Sequence, residues 1–548
     1  MRPCSQDNRG SNDCIGGRLD PRAAAFYDPA ARRRCLTRRT CVSANSAAQM
    51  LGRIQETLVY LRQLMTPPDQ GRRLSHSRRA LRVFWVAVLV VAAVEGVIAI
   101  AHRENDFVCH RRFGEDFWAG EPYRHRGNVY PLGRAAFDAG LALLDYRTSR
   151  AVCYLLALSC IAGTYWVWMK LTSARAGCPT PCPLWGQGRG EGRDIASGSA
   201  SDPSPHGKGV SVSSHGIREV LRSPAVAVSL VIASPFLLRD LDECGLQLLL
   251  LGLLSAAAYA LARGRAVTSG GFLAAAATYK ATPMLFLPLL VWKRQWKAAS
   301  AMACGILVLN LALPACHLGW GKTLEANGHW MADARRILSQ TAEAYPSNPG
   351  VEPPKVQNLS LRAMFARYLE TYPPEHPLHL QHPLFLQFGW LSPSAAKAIV
   401  MTVLVLSAIW LAWRSRQPWQ ESAEPLRGFS QPFAHEWALT CLLCALLSPV
   451  CWKQHLVLAI PIILLAVQRV LQGGRHGRAA LAGLSVCACI FLLGRHGIVG
   501  RELSIVLMSY KLDTIALLAT CFIARPVKAP AESKAAISET EPRLRMAA

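Results

Sequence analysis

Charge is sparse in this sequence and one-sided: 17% of 548 residues are charged, with 35 acids against 60 Lys and Arg. A soluble domain is about 25% charged, so this composition argues against an ordinary water-exposed surface. Residues 1–30 contain no apolar core, so a cleavable leader is not expected there, and the first apolar run is expected to act as its own insertion signal. Metal-type cysteine spacing is missing too. The eighteen cysteines are scattered, several of them inside apolar runs (Cys153, Cys160, Cys441, Cys444, Cys487, Cys489), where the residue behaves as a small hydrophobe. Cys178 and Cys182 bracket Pro-Thr-Pro without the second pair a zinc site needs, so no metal and no cofactor are expected. Gly186-Gln187-Gly188-Arg189-Gly190 has no strand before it and no helical pattern after it, which excludes a phosphate loop. Internal repeats and paired broken helices are also absent, which weighs against a transporter.

Long apolar runs are what the sequence does have: 83–101, 148–170, 223–238, 245–262, 298–318, 396–413, 437–451, 455–468, 479–494 and 503–524. A helix needs about 20 apolar residues to cross the hydrocarbon core, and backbone groups in lipid must be satisfied internally. The fold class read from this is all-α and polytopic, with about ten transmembrane helices. The net charge of +25 raises a nucleic-acid partner. The basic residues, however, collect in segments between apolar runs, and sixteen arginines face six acids in residues 1–82. That is the positive-inside pattern, and it fits contact with anionic membrane lipids rather than nucleic acid.

Starting from a cytoplasmic N-terminus, span parity places 102–147 and 319–395 outside, and 171–222 and both termini inside. The organisation expected is a basic extension (1–82), a transmembrane domain (83–524) with the Gly/Ser/Pro-rich insertion 171–222, and a tail (525–548). Between Arg263-Gly264-Arg265 and Lys293-Arg294 the chain is too short for two crossings. A re-entrant hairpin bent near Pro283 is expected, with Lys280 near its tip facing a cavity.

This parity gathers the polar candidates on the outer face. Asp106 is either a helix-flanking acid or a catalytic one. Lys280, flanked by apolar runs, is costly at membrane depth and serves a ligand or a pair. His455 begins an apolar helix beside Trp452, as a structural hydrogen-bonding group or a ligand contact. Arg239, Asp240 and Asn358 fall on the same face, and Asn358 also satisfies the Asn-X-Ser acceptor pattern, a motif frequent by chance.

Four stretches, in order, carry a likeness: Asp106-Phe107 with Gly120-Glu121-Pro122-Tyr123 and Tyr130-Pro131; the apolar run ending in Lys280-Ala281-Thr282-Pro283; Asn358-Leu359-Ser360-Leu361 with Arg367; and Leu447-Ser448-Pro449 leading to Trp452-Lys453-Gln454-His455. Together they resemble glycosyltransferase family 87, the polyprenol-phosphate-mannose-dependent mannosyltransferases of the GT-C fold, over residues 83–470. Departures are His110 where the family has tyrosine, Leu132 for a second proline, Cys244-Gly245 followed by Gln247 for a Gly-Gln pair, and Gln454 for the first of two histidines.

The resemblance implies a plasma-membrane enzyme that transfers a hexose, mannose in the family, from a polyprenyl-phosphate donor to a lipid or glycan acceptor at the outer face. It implies Asp106 as general base, with Lys280 and His455 on the leaving phosphate. Trp452 and Tyr123 would stack on the sugar, and Asn358 and Arg239 would contact substrate. The rivals are a GT-C transferase or ligase for another sugar such as arabinose, and a lipid or solute transporter.

Overall fold

The structure, a computed structural model, describes residues 73–102, 107–124, 130–173, 215–243, 245–339, 357–369, 391–416, 419, 431–473, 477–494 and 496–525. Its main helices are α1 (Arg73–His102), α2 (Phe107–Trp118), α3 (Leu132–Ala142), α4 (Tyr146–Ser173), α5 (His215–Arg222), α6 (Pro224–Asp242), α7 (Leu246–Ala262), α8 (Ala266–Tyr279), α9 (Phe286–Trp292), α10 (Trp296–Leu307), α11 (Leu313–Leu318), α12 (Trp320–Ser339), α13 (Leu361–Leu369), α14 (Pro393–Arg414), α15 (Gln431–Leu446), α16 (Ile460–Leu471), α17 (Gly477–Leu493), α18 (Arg501–Ser509) and α19 (Leu512–Ile523). Contacts divide the chain into two units between Ala80 and Leu81, and the helical bundle belongs to the second, Leu81–Ala548. Asp106 and residues 174–214 of the insertion lie outside the described residues.

Among the described residues six helices are long and apolar enough to cross a membrane: Arg79–Ala101, Tyr146–Thr172, Pro224–Asp242, Trp296–Leu318, Ser394–Trp413 and Lys453–Leu471. A seventh span results if Leu503–Ser509 and Leu512–Ile523, bent by 58°, count as one. This is a helical, polytopic, membrane-embedded protein, but the expected count of about ten full spans is not reached among the described residues. Leu246–Ala262, Pro432–Leu446 and Gly477–Leu493 are apolar yet only 10–17 residues long. Even 17 residues rise only about 25 Å, short of a core of ~30 Å.

Helix directions follow from close packing. Gly252 of α7 sits against Cys160 of α4, and Trp168 Nε1 donates to Ser255 Oγ at 3.2 Å, so these helices run parallel. Ser229 reaches Tyr165 and Ser223 reaches Met169, so α6 runs the other way. Gly270 packs against Ala298–Met302 and Asn310 bonds Thr278, so α8 and α10 are also parallel. The connection between them must therefore return the chain to its starting end. It does so as a half-length hairpin, Thr282–Trp292. Pro283 cannot donate a backbone hydrogen bond, so α8 does not run through it, and Lys280 closes α8 in extended geometry (φ −151°, ψ 133°). One end of the bundle thus holds Arg263, Arg265 and Lys293; the other holds Asp240, Gln247 and Lys280.

Lys293 is not the loop charge the sequence suggests. It is buried, pairs with Glu436 at 2.7 Å, donates to the Ser415 carbonyl and lies over Trp419. The Trp419 indole donates to the same Glu436 carboxylate at 2.6 Å.

Within 102–147 the described residues include two short helices, α2 and α3, that pack together. Gly133, at the start of α3, approaches so closely that a Cβ there would lie 2.3 Å from Thr278 Cγ2 and 2.5 Å from Leu309 O. Gly133→Ala is expected to cost about 1–3 kcal/mol through overpacking. Gly140→Ala, whose Cβ meets nothing, should be neutral or slightly stabilising because Ala is the better helix former. Thermal midpoints of the two purified variants compare these; equal midpoints would mean that the α3–α8 contact yields without cost.

Candidate functional site

The site grows from the start of α7. Gly245 takes φ +72°, which lets the chain turn from α6 into α7 and leaves the first N–H groups of α7 without helical partners. Asp240, buried at the end of α6, accepts from two of them, Gln247 N at 3.3 Å and Leu248 N at 2.9 Å. The Gln247 side chain extends in turn to the break after α8, where Lys280 Nζ donates to its Oε1 at 3.3 Å. Lys280 also lies within electrostatic reach of Asp240, Cys451 and His455. A lysine from the hairpin, an acid from α6, an amide from α7 and the segment 451–455 therefore meet at one end of the bundle.

The segment 448–459 enters the core as a turn and a 3₁₀ helix, Lys453–Ala459, which packs against α6, α7 and α15. His455 Nδ1 accepts from Trp452 N at 3.1 Å. That fixes the tautomer: the ring proton resides on Nε2, a donor, and the Val450 carbonyl lies beside the ring. Lys453 donates to Gly494 O at 3.0 Å and lies 3.8 Å from Asp513, which ties this motif to α17 and α19.

Asn358 is buried, and its side chain holds backbone. Nδ2 donates to Pro449 O at 3.0 Å, while Oδ1 accepts from Cys451 N at 3.0 Å and Ser360 N at 3.1 Å. Thr514 donates to Leu359 O at 2.7 Å, and Arg367 Nε donates to Ser509 O at 3.1 Å. Asn358 thereby docks its segment on the Ser448–His455 motif, a positioning task beside the site. Arg239, about half exposed, pairs with Glu243 at 2.6 Å and Asp242 at 3.9 Å; the group on that turn that reaches the site is its neighbour Asp240. Tyr123 packs against Phe113, with ring centroids 5.6 Å apart, and donates to Tyr130 O at 2.8 Å. Burial raises its phenol well above the usual tyrosine range, and Asp333 adds to the effect. It belongs to the α2–α3 layer, not to the Lys280 cluster. Asp106 lies outside the described residues.

A second charged group, not anticipated from the sequence as part of the site, adjoins the first. Arg134 and Asp138 of α3 are fully buried, and Arg134 Nε lies 2.8 Å from both carboxylate oxygens. Arg134 Nη2 meets His110 Nδ1 at 3.1 Å, Nη1 approaches Tyr279 O at 3.4 Å, and its Cζ sits 3.6 Å above the Tyr279 ring. Burial works against the Arg134 charge, but the Asp138 carboxylate more than reverses this and holds the guanidinium above its usual range. Arg134 thereby anchors the residue immediately before Lys280. The Arg134–Asp138 spacing of four, both residues on one face of an otherwise apolar helix, was the available signal. Asn310 completes the wall from a π-turn (Val308–Ala312), accepting from Gly133 N at 3.1 Å and donating to Thr278 Oγ1 at 2.9 Å. π-turns inside helices often mark functional positions.

Among the described residues no cluster of His, Cys, Asp and Glu is arranged to hold a metal ion. What the arrangement offers instead is a lysine at the mouth of a half-length hairpin, beside an imidazole held between Trp452 N and the Val450 carbonyl. Such groups suit an anionic oxygen ligand.

The sequence model described as Glycosyltransferase family 87 matches residues 128–423. No curated protein and no solved structure matches the chain.

Proposed function

Because the chain belongs to glycosyltransferase family 87, and is a membrane glycosyltransferase, we propose that it moves a hexose, mannose first among them, from a polyprenyl-phosphate donor to a hydroxyl of a lipid or glycan acceptor at the outer face of the plasma membrane. One observation carries the donor class: Lys280, Gln247, Asp240 and the His455 turn, far apart in sequence, converge where the hairpin breaks. A lipid-linked phosphate arrives at such a place from between helices and needs no metal to neutralise a second phosphate.

In the proposed reaction the acceptor oxygen attacks the anomeric carbon from the face opposite the phosphate, and the anomeric configuration inverts. The sugar–phosphate C–O bond breaks and its electron pair leaves with the polyprenyl monophosphate. Lys280 receives the charge growing on the leaving oxygens, and His455 takes part once its N–H turns from the Val450 carbonyl to the phosphate. The hydroxyl proton passes to Asp106. Trp452 and Tyr123 are assigned to sugar contacts, and Arg239 to a contact at the rim.

The test is transfer of label from radiolabelled polyprenyl-phosphate-mannose in membranes containing the protein. Lys280→Ala is expected to weaken donor binding by about 10- to 100-fold, the value of a charge-assisted hydrogen bond of about 1.5–3 kcal/mol. Lys280→Arg should retain part of the affinity, since charge counts for more here than the shape of the ammonium. Unchanged affinity in the alanine variant at normal expression would make Lys280 a structural partner of Gln247. Absence of transfer from any polyprenyl-phosphate hexose would sink the donor assignment.

A further inference from the structure

A groove along α7 has its charged end at the opposite end of the bundle from Lys280. The helices α4 and α7 touch closely at Gly252, where a Cβ would meet Cys160 Sγ at 2.6 Å, and then leave a groove of about 560 Å³. Its walls are apolar or small, among them Gly163, Leu249, Leu253, Tyr259 and Phe272, and its lining includes two arginines, Arg263 and Arg265, and no acid. From Leu249 to Arg263 the groove follows α7 for about 21 Å, more than one leaflet's share of a core of ~30 Å.

The charged end is built for an anion. Most of the last carbonyls of α7 are already satisfied: Arg263 N reaches Tyr259 O and Ala260 O, Gly264 N reaches Leu261 O, and Arg265 N reaches Ala260 O, with Gly264 at φ +73°. Three of the last four α7 carbonyls, those of Tyr259, Ala260 and Leu261, are thus occupied by backbone donors. The next helix, α8, starts at Ala266 with no side-chain cap, so its first N–H groups and the positive end of its dipole face the same place. Arg263 lies 5.3 Å from the Tyr259 ring centre, and Trp166 packs against that ring at 5.1 Å. Two exposed arginines, an uncapped helix start and an aromatic pair thus surround the groove end.

We propose that this groove holds an acyl chain of an anionic phospholipid, with its phosphodiester against Arg263, Arg265 and the start of α8. The phosphate is not that of the reacting donor: Arg265 and Lys280 are separated by the length of α8, about 22 Å. The lipid would wedge between α4 and α7 and brace the helix whose far end carries Lys280.

Native mass spectrometry of the full-length protein, supplied with phosphatidylglycerol or phosphatidylcholine, tests this. At about 1 kcal/mol for each basic residue near a phosphate, the two arginines should give phosphatidylglycerol about a thirtyfold advantage. The double variant Arg263→Gln, Arg265→Gln should lose that advantage. Gly163→Leu fills the groove from a position whose Cβ meets nothing; it should fold normally and lower retention of both lipids. Equal retention of the two lipids by the wild type, undiminished phosphatidylglycerol retention in the double variant, or no effect of Gly163→Leu would each overturn the proposal. So would displacement of phosphatidylglycerol by an equal concentration of polyprenyl phosphate, which would assign the groove to the donor's own tail.

Discussion

Asp138→Asn is expected to destabilise the protein by about 3–5 kcal/mol, the cost of leaving one partner of a buried ion pair uncompensated. Arg134 and Asp138 have essentially no exposure, and the Arg134 guanidinium also holds His110 and the Tyr279 carbonyl. With the carboxylate gone, a full positive charge stays buried among Tyr130, Phe137 and Tyr279. The thermal midpoint of the purified variant should fall sharply, and donor affinity should fall with it because the turn at Lys280 loses its anchor. The pair Arg134→Met with Asp138→Leu removes both charges and should recover most of the midpoint, since apolar replacements of buried ion pairs are often neutral or better. Donor affinity should not recover to the same degree. A midpoint unchanged in Asp138→Asn would mean that solvent or a neighbouring group already compensates Arg134.

Hydropathy made the polytopic helical class legible, because backbone in lipid has few alternatives. It overcounted full spans, since an apolar run of 16 or 17 residues reads the same whether it crosses or packs as a shorter helix inside the bundle. The hairpin was legible from two basic clusters set too close together, and Lys280 from the cost of its charge. Asp240 was harder to single out. Beside Arg239 at the end of an apolar run it resembles an ordinary flanking pair, and only the turn at Gly245 aims its carboxylate at the α7 N–H groups. Asn358 carried a family motif but no sign that its amide would bind the backbone of residues 449–451. His110, a departure from the family tyrosine, still supplies a polar atom to Arg134 at 3.1 Å. Asp138, an obvious choice of neutral control in a carboxylate series, is unsuitable for that purpose because it is half of a buried pair.

Asp106→Asn is expected to leave donor binding intact and slow sugar transfer by at least a hundredfold, since loss of a general base typically costs about 10²–10⁴ in rate. The residue precedes Phe107, which is fully buried against Tyr146, and it stands four residues before His110. From His110 the contacts run to Arg134, to Tyr279 and so to Lys280. Position 106 is therefore only four residues in sequence from His110, the ring that meets the Arg134 guanidinium. Asparagine keeps the size and the hydrogen-bonding capacity but does not accept the proton. Asp145→Asn is the appropriate comparison. Asp145 is exposed, the Thr148 hydroxyl and N–H hold its carboxyl below the usual range, and its backbone contacts at Arg147 and Thr148 suit asparagine equally well. Single-turnover transfer with labelled donor separates the two variants. Near-normal turnover in Asp106→Asn, or an equal loss in Asp145→Asn, would place the base elsewhere. Weakened donor binding in Asp106→Asn with unchanged single-turnover chemistry would make the residue part of the donor site.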